Sequence, residues 1–172
     1  MLLRWDGTRQ DREEKTVDEA DYDPLALDNQ LCFSLYAASR ALTGLYRELL
    51  GDLGLTYPQY LVMLALWEHG TLSVKGLSRV LHLDSGTLSP LLRRLETAGA
   101  ITRTRSAADE RVVEIGLTDH GAAMRERALG IPERLACSAG LPADRIRDLI
   151  TTLGELTRSV GGETARRPDR TG

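Results

Sequence analysis

One short run of alternating hydrophobicity, with Val113, Ile115 and Leu117 apolar inside residues 111–117, stands in a chain otherwise patterned at helical spacing. Before it come Ile101-Thr-Arg-Thr-Arg105 and the polar turn Ser106-Ala-Ala-Asp-Glu110. Together they predict a β-hairpin over 101–117. The chain is therefore expected to be mainly α with a small β-hairpin, and the helices in front of the hairpin decide what kind.

Those helices carry their own punctuation. Leu27-Asp28 opens the first, with Asp28 as its N-cap, and Leu31, Leu35, Leu42, Leu45 and Leu49 recur at helical spacing until Gly51 and Gly54. Thr56-Tyr-Pro-Gln59 opens the second. Thr56 caps it, Pro58 suits an early helical position, and Gln59 completes a capping box. Its body, 60–68, is strongly apolar and belongs in the core; His69-Gly70 ends it. Thr71-Leu72 reads as a short strand. Ser73 caps a brief helix to Leu81 with Val74, Leu77, Val80 and Leu81 inward. After the tight link His82-Leu83-Asp84, a helix over roughly 85–98 sets Leu88, Leu91, Leu92 and Leu95 on one face. Pro90 lies in its first turn or costs it one hydrogen bond. Beyond the hairpin, one long helix is expected from Thr118 to about Cys137, a break at Ala139-Gly-Leu-Pro142, and a last helix from about Ala143 to Val160. The acidic residues 1–28 and the polar residues 161–172 read as disordered tails.

Helix, helix, short helix, tight turn, helix, hairpin is the order of a winged helix-turn-helix, here about 56–117. Charge agrees locally where it does not globally. The net charge is −3, yet residues 1–28 hold four basic and nine acidic residues (4 − 9 = −5), while residues 71–116 hold seven and five (7 − 5 = +2). Double-stranded DNA needs only the local basic surface. With the leucines of the recognition helix inward, Gly86, Thr87, Pro90, Arg93 and Arg94 face outward, flanked by Ser85 and Ser89. The arginines suit phosphates or guanines. The hairpin adds Arg103, Arg105 and Arg111, with Asp109 placed to orient the Arg111 guanidinium; a narrow arginine-bearing wing suits the minor groove. The bland reading is a solvated helix and a surface ion pair. The segments at about 29–50 and 118–160 have apolar residues to pack but too little chain for a second domain, so they read as dimerisation helices. A two-fold would set two recognition helices about one DNA turn apart.

Other classes lack support. No apolar run approaches the length of a membrane span, the N-terminal residues do not form a signal peptide, and a cytoplasmic protein without membrane contact is expected. Two cysteines, Cys32 and Cys137, make neither a zinc site nor a disulfide framework, and no metal or cofactor is expected. By themselves they read as two small buried residues or as reactive thiols.

Particular motifs then resemble a known family. The stretch from about Asp28 to Gly140 is similar to MarR-type regulators, whose wing carries the Asp-x-Arg found here in Ser106-Ala-Ala-Asp-Glu-Arg111. Asn29-Gln-Leu-Cys-Phe33, Thr56-Tyr-Pro-Gln-Tyr60, Leu66-Trp-Glu-His69 and Leu83-Asp-Ser-Gly-Thr-Leu88 resemble the organic hydroperoxide resistance regulators within that family. The resemblance implies a homodimeric repressor, with residues 29–160 as the MarR-type domain and Cys32 as the peroxide-reactive thiol. It also implies that Tyr36, Tyr46 and Tyr57 surround that thiol.

The residues bear on that implication. Cys32, Tyr36 and Tyr46 fall within about 80° of arc on one helix, but Cys32 and Tyr46 are about 21 Å apart along its axis. Tyr46 therefore reaches a Cys32 thiol only across a dimer of antiparallel first helices. A tyrosine hydroxyl donates to a thiolate, and the positive end of the helix dipole also favours one. Ordinary interface packing accounts equally for tyrosines at this spacing. Cys137 resembles the resolving thiol of the two-cysteine branch, giving an intersubunit disulfide with Cys32; the other reading is an inert buried cysteine. Two further functions compete: a repressor released by a small ligand without a reactive thiol, and a thiol peroxidase. The peroxidase needs a reductant site, and neither Cys-x-x-Cys nor a second domain provides one, so an enzyme is not expected.

Overall fold

The computed structural model describes residues 23–107 and 109–164. The chain divides into two bodies, Met1–Arg40 and Ala41–Gly172. In the first, Leu27–Asn29 forms a 3-10 turn ahead of helix α1 (Leu31–Leu49), which runs on into the second body. Local bonds define the entry: the Leu25 N–H donates to Asp23 Oδ1 at 2.8 Å, Asn29 Nδ2 to the Asp23 carbonyl at 2.8 Å, and Gln30 Nε2 to the Pro24 carbonyl at 2.6 Å. Asp28 thus lies inside the 3-10 turn and is not the N-cap of α1. The expected tail also ends earlier, since residues 23–28 are ordered by these bonds; residues 1–22 lie outside the described residues.

The second body builds its core on α2 (Tyr57–His69). Its entry follows from Thr56 and Gln59. The Thr56 N–H and the Thr56 hydroxyl both donate to Gln59 Oε1 at 2.8 Å, satisfying a donor the first turn leaves over. Tyr60, Val62, Met63, Ala65 and Leu66 are buried, so several faces of this helix contact protein. Strand β1 (Leu72–Ser73) follows. The Ser73 hydroxyl then caps α3 (Val74–Leu81) by accepting the Gly76 N–H at 3.0 Å. Leu77 is fully buried, whereas Val80, expected inward, is exposed. The turn at His82 takes a positive φ of 52°, and α4 (Ser85–Thr97) begins.

Strands β2 (Ile101–Arg105) and β3 (Val113–Leu117) pair antiparallel, from Ile101 against Leu117 to Arg105 against Val113. The expected short strand is the third member of this sheet: Leu72 pairs with Ile115, giving the order β1-β3-β2. The helix-turn-helix α3–α4 is thereby tied to its wing through the central strand.

Past the sheet, the expected single helix to Cys137 is two, α5 (Asp119–Ala128) and α6 (Ile131–Ala139). Pro132 in the first turn of α6 has no N–H to continue the ladder, and its ring disfavours a carbonyl one turn back. Helix α7 (Ala143–Thr164) runs past the expected end at Val160, so the proposed tail from Gly161 begins as helix; residues 165–172 lie outside the described residues.

Thr118 joins the wing to α5. Its N–H donates to the Ala100 carbonyl at 3.2 Å, its hydroxyl donates to the Gly99 carbonyl at 2.6 Å, and the same oxygen accepts the Gly121 N–H at 2.9 Å. Trp67 of α2 closes the circuit by donating its indole N–H to the Gly121 carbonyl at 2.9 Å. No helix among the described residues is long and apolar enough to cross a membrane.

Candidate nucleic-acid interface and thiol positions

Helix α4 is fixed by its inner face and by its cap. Leu88, Leu92 and Leu95 are buried, and Leu91 is partly so. That anchoring turns Ser85, Gly86, Thr87, Ser89, Pro90, Arg93 and Arg94 to solvent, as the spacing predicts. Pro90 falls in the second turn, not the first, and so removes the N–H that would bond the Gly86 carbonyl. Asp84, expected in the link before this helix, is its N-cap. Its Oδ1 accepts the Thr87 N–H at 2.8 Å and its Oδ2 accepts the Thr87 hydroxyl at 2.8 Å. The Thr87 N–H bond, and then the Thr87 hydroxyl, hold its carboxyl below the usual range. An Asp followed by an apolar helical face is the signal that finds it. The Ser89 hydroxyl donates to the Ser85 carbonyl at 2.7 Å.

In the wing, Arg103 reaches back toward α4, with Nη1 4.0 Å from Glu96 Oε2. A half-exposed pair of that length contributes about 0–1 kcal/mol. Arg93, Arg94, Arg105 and Arg111 enter no ion pair among the described residues. Arg111, expected at the start of the second strand, belongs to the turn. Asp109 does not hold its guanidinium: Asp109 Oδ1 accepts the Arg111 main-chain N–H at 3.0 Å, and the Val112 N–H donates to the Asp109 carbonyl at 2.9 Å. The carboxylate thus shapes the turn through the main chain.

Cys32 lies in the first turn of α1 and Cys137 in α6, both exposed as free thiols. The burial expected of an inert cysteine is not found at either in this chain. Tyr36 is exposed beside Arg40, whose Nη1 donates to its hydroxyl at 3.3 Å while the guanidinium stands 5.7 Å from the ring centre. In the second body, Tyr46 and Tyr57 come together with ring centres 4.5 Å apart. Tyr60 extends the group, 5.8 Å from Tyr46 and 6.1 Å from Trp67. Tyr60 was missed as part of this group, although its position three after Tyr57 on one helix face gives it away. Burial, with Tyr57 and Tyr60 beside it, pushes the Tyr46 hydroxyl up to about 12, and burial raises Tyr57 and Tyr60 as well. These hydroxyls stay protonated near neutrality and remain donors.

Comparison with known proteins follows the same outline. A family model described as transcriptional regulator SarA/Rot matches residues 44–127. The organic hydroperoxide resistance transcriptional regulator of Bacillus subtilis is 55% identical over 142 residues, covering 83% of this chain and 97% of that protein. Among solved structures, reduced AbfR bound to DNA is 36% identical with a TM-score of 0.68, covering 80% of this chain and 94% of that one. Disulfide-formed AbfR is 38% identical with a TM-score of 0.56, covering 76% and 91%. AbfR of Staphylococcus epidermidis in a further crystal structure is 37% identical with a TM-score of 0.67, covering 81% of this chain and 95% of that one.

Proposed function

The chain belongs to the MarR family of transcriptional regulators, among the organic hydroperoxide resistance regulators, and from that premise we propose that it is a homodimeric repressor whose hold on operator DNA is broken when an organic hydroperoxide oxidises Cys32. The observation that carries this reading is the exposed Cys32 thiol in a chain 55% identical to a hydroperoxide resistance regulator across nearly that whole protein. The outward face of α4, the arginines of the wing and the DNA-bound relative support the DNA partner. Exposed apolar residues on the expected dimerisation helices, Leu31 and Leu42 on α1 and Leu149, Ile150 and Leu153 on α7, support the homodimer.

In the proposed reaction the Cys32 thiolate attacks the peroxide, the O–O bond breaks, an alcohol leaves, and a sulfenic acid forms. The Cys137 thiol of the other protomer then displaces water from that sulfur to give an intersubunit disulfide. Tyr36, Tyr46 and Tyr57 are proposed to surround Cys32, with Tyr46, held protonated, donating to the thiolate from the partner. A disulfide needs Cα atoms within about 7 Å, so forming it would draw the helices bearing both thiols together and turn the winged domains out of register with the operator. The disulfide-formed relative is consistent with that chemistry.

The test is DNA binding by purified protein at fixed salt, with and without an organic hydroperoxide. Wild type should release DNA on oxidation, and Cys32→Ser should bind DNA and keep it. Release of the Cys32→Ser protein by peroxide would move the sensor elsewhere and favour a repressor controlled by a non-covalent ligand.

A further inference from the structure

The outward face of α4 has an ordered polarity. Asp84 in its carboxylate form has no proton to give, so the 2.8 Å contact between its Oδ2 and the Thr87 hydroxyl has one sense: the hydroxyl donates. A hydroxyl carries one proton, and Thr87 has used it. Ser89 has likewise given its proton to the Ser85 carbonyl at 2.7 Å. Both side chains therefore present only lone pairs outward. The Ser85 hydroxyl at the helix start keeps its proton, and the charged donors of this face, Arg93 and Arg94, lie six and seven residues beyond Thr87, about 9 and 10.5 Å along the axis. Gly86 protects the arrangement, because a Cβ there would stand 3.0 Å from Asp84 Oδ1 and press on the carboxylate.

We infer that Asp84 is a positioning residue for sequence recognition: it turns Thr87 toward the major groove as a hydrogen-bond acceptor, so that Thr87 reads an exocyclic amine, adenine N6 or cytosine N4, and not a base carbonyl. The inference rests on α4 being the recognition helix, as proposed above. In the major groove those two amines are the donors a base edge offers, whereas guanine O6 and thymine O4 are acceptors that lone pairs repel.

The experiment starts with selection from a randomised duplex pool by wild-type protein and by Thr87→Val, which keeps the side chain's shape and removes its oxygen. The base pair whose preference disappears in Thr87→Val is the one Thr87 reads. At that pair, replacing the exocyclic amine by hydrogen (purine for adenine, pyrimidin-2-one for cytosine) should weaken wild-type binding about three- to tenfold and leave Thr87→Val unaffected. Asp84→Asn keeps a good N-cap but offers its amide N–H to the Thr87 oxygen, freeing the hydroxyl proton. In that variant the freed proton competes with the one remaining lone pair for the base edge, so the amine's removal should cost less than in wild type. Losing the Asp84 charge will raise affinity for all duplexes alike and so drops out of the comparison. The inference is overturned if Thr87→Val changes no preference, if amine removal leaves wild type unaffected, or if Asp84→Asn keeps the wild-type dependence on the amine. If wild type selects no sequence at all, the DNA-binding reading itself fails; in every other case the two fail separately.

Discussion

Adding one methyl group at Gly121 should cost more stability than any surface substitution in this chain. A Cβ built there would stand 1.9 Å from the Ala100 carbonyl oxygen and 2.9 Å from its carbon. Neither is the end of a flexible side chain. Ala100 is buried, and its carbonyl already accepts the Thr118 N–H at 3.2 Å. Reaching even the 3.0 Å that real Cβ atoms observe requires α5 and the start of β2 to part by about 1 Å. That movement strains three bonds at once: Thr118 to Ala100, Gly121 to the Thr118 hydroxyl, and Trp67 to the Gly121 carbonyl. Overpacking costs about 1–3 kcal/mol. A weakened cap adds about 1 kcal/mol, and a lost neutral hydrogen bond about 1 kcal/mol more. Alanine returns about 1 kcal/mol in helix propensity. The net for Gly121→Ala is a loss of about 3 kcal/mol, a large share of the 5–15 kcal/mol that holds a typical domain. Urea denaturation followed by circular dichroism, at one fixed protein concentration, measures it. Gly44→Ala is the matched control, since nothing lies within 4 Å of a Cβ there; it should be neutral or stabilising by up to about 1 kcal/mol. A Gly121→Ala loss below about 1 kcal/mol would refute the account of this junction.

Three other outcomes are expected. Arg111→Ala should weaken DNA binding across sequences and lower the salt slope by about one, because it removes a cation from the wing proposed to lie against the DNA backbone and minor groove; a titration over a salt series reads both, and an unchanged slope would remove Arg111 from the interface. Peroxide-treated wild type should run as a covalent dimer on a non-reducing gel and Cys137→Ser as a monomer; a wild-type monomer that nonetheless releases DNA would assign resolution to an external thiol. With Tyr46 raised to about 12 in the folded chain, above its ordinary value of 10.0, its contribution to stability is complete below pH 10 and is lost as pH rises toward 12. Absorbance at the tyrosinate band should therefore show a component titrating well above pH 10, and Tyr46→Phe should abolish it; a curve unchanged by the substitution would contradict the buried environment.

What the sequence made legible was local. Thr56 with Gln59, Ser73 beneath Gly76, and the leucines of α4 each signal a cap or a face within four residues, and each is found where expected. The signals misread were of two kinds. Some were local and overlooked, such as Pro132, which dictates the break between α5 and α6, and Asp84, whose cap orients Thr87. Others depend on partners distant in sequence. The pairing of Leu72 with Ile115 and the 54-residue reach from Trp67 to Gly121 have no periodic trace. At the candidate site, the outward residues of α4 followed from helix geometry and the hairpin from alternation, whereas the extent of its turn did not. Its turn takes in Arg111 because the Asp109 carboxylate binds a main-chain N–H, and a count of alternating residues does not distinguish that from binding a guanidinium.

The bond from Trp67 to Gly121 makes this tryptophan an optical probe of the protein's interior. The chain has two tryptophans, at positions 5 and 67. Replacing Trp5 with phenylalanine would leave emission from one indole whose N–H is tied to the start of α5 and whose ring lies 6.1 Å from Tyr60. Tyr60 is in turn 5.8 Å from Tyr46, so light absorbed by this cluster of rings passes efficiently to the indole by energy transfer. Any event that separates α2 from the start of α5 would free the indole N–H, shift its emission colour and lower the tyrosine-sensitised yield. Mixing such a protein rapidly with an organic hydroperoxide would time the movement of the DNA-binding region in solution, with no attached dye and no DNA present.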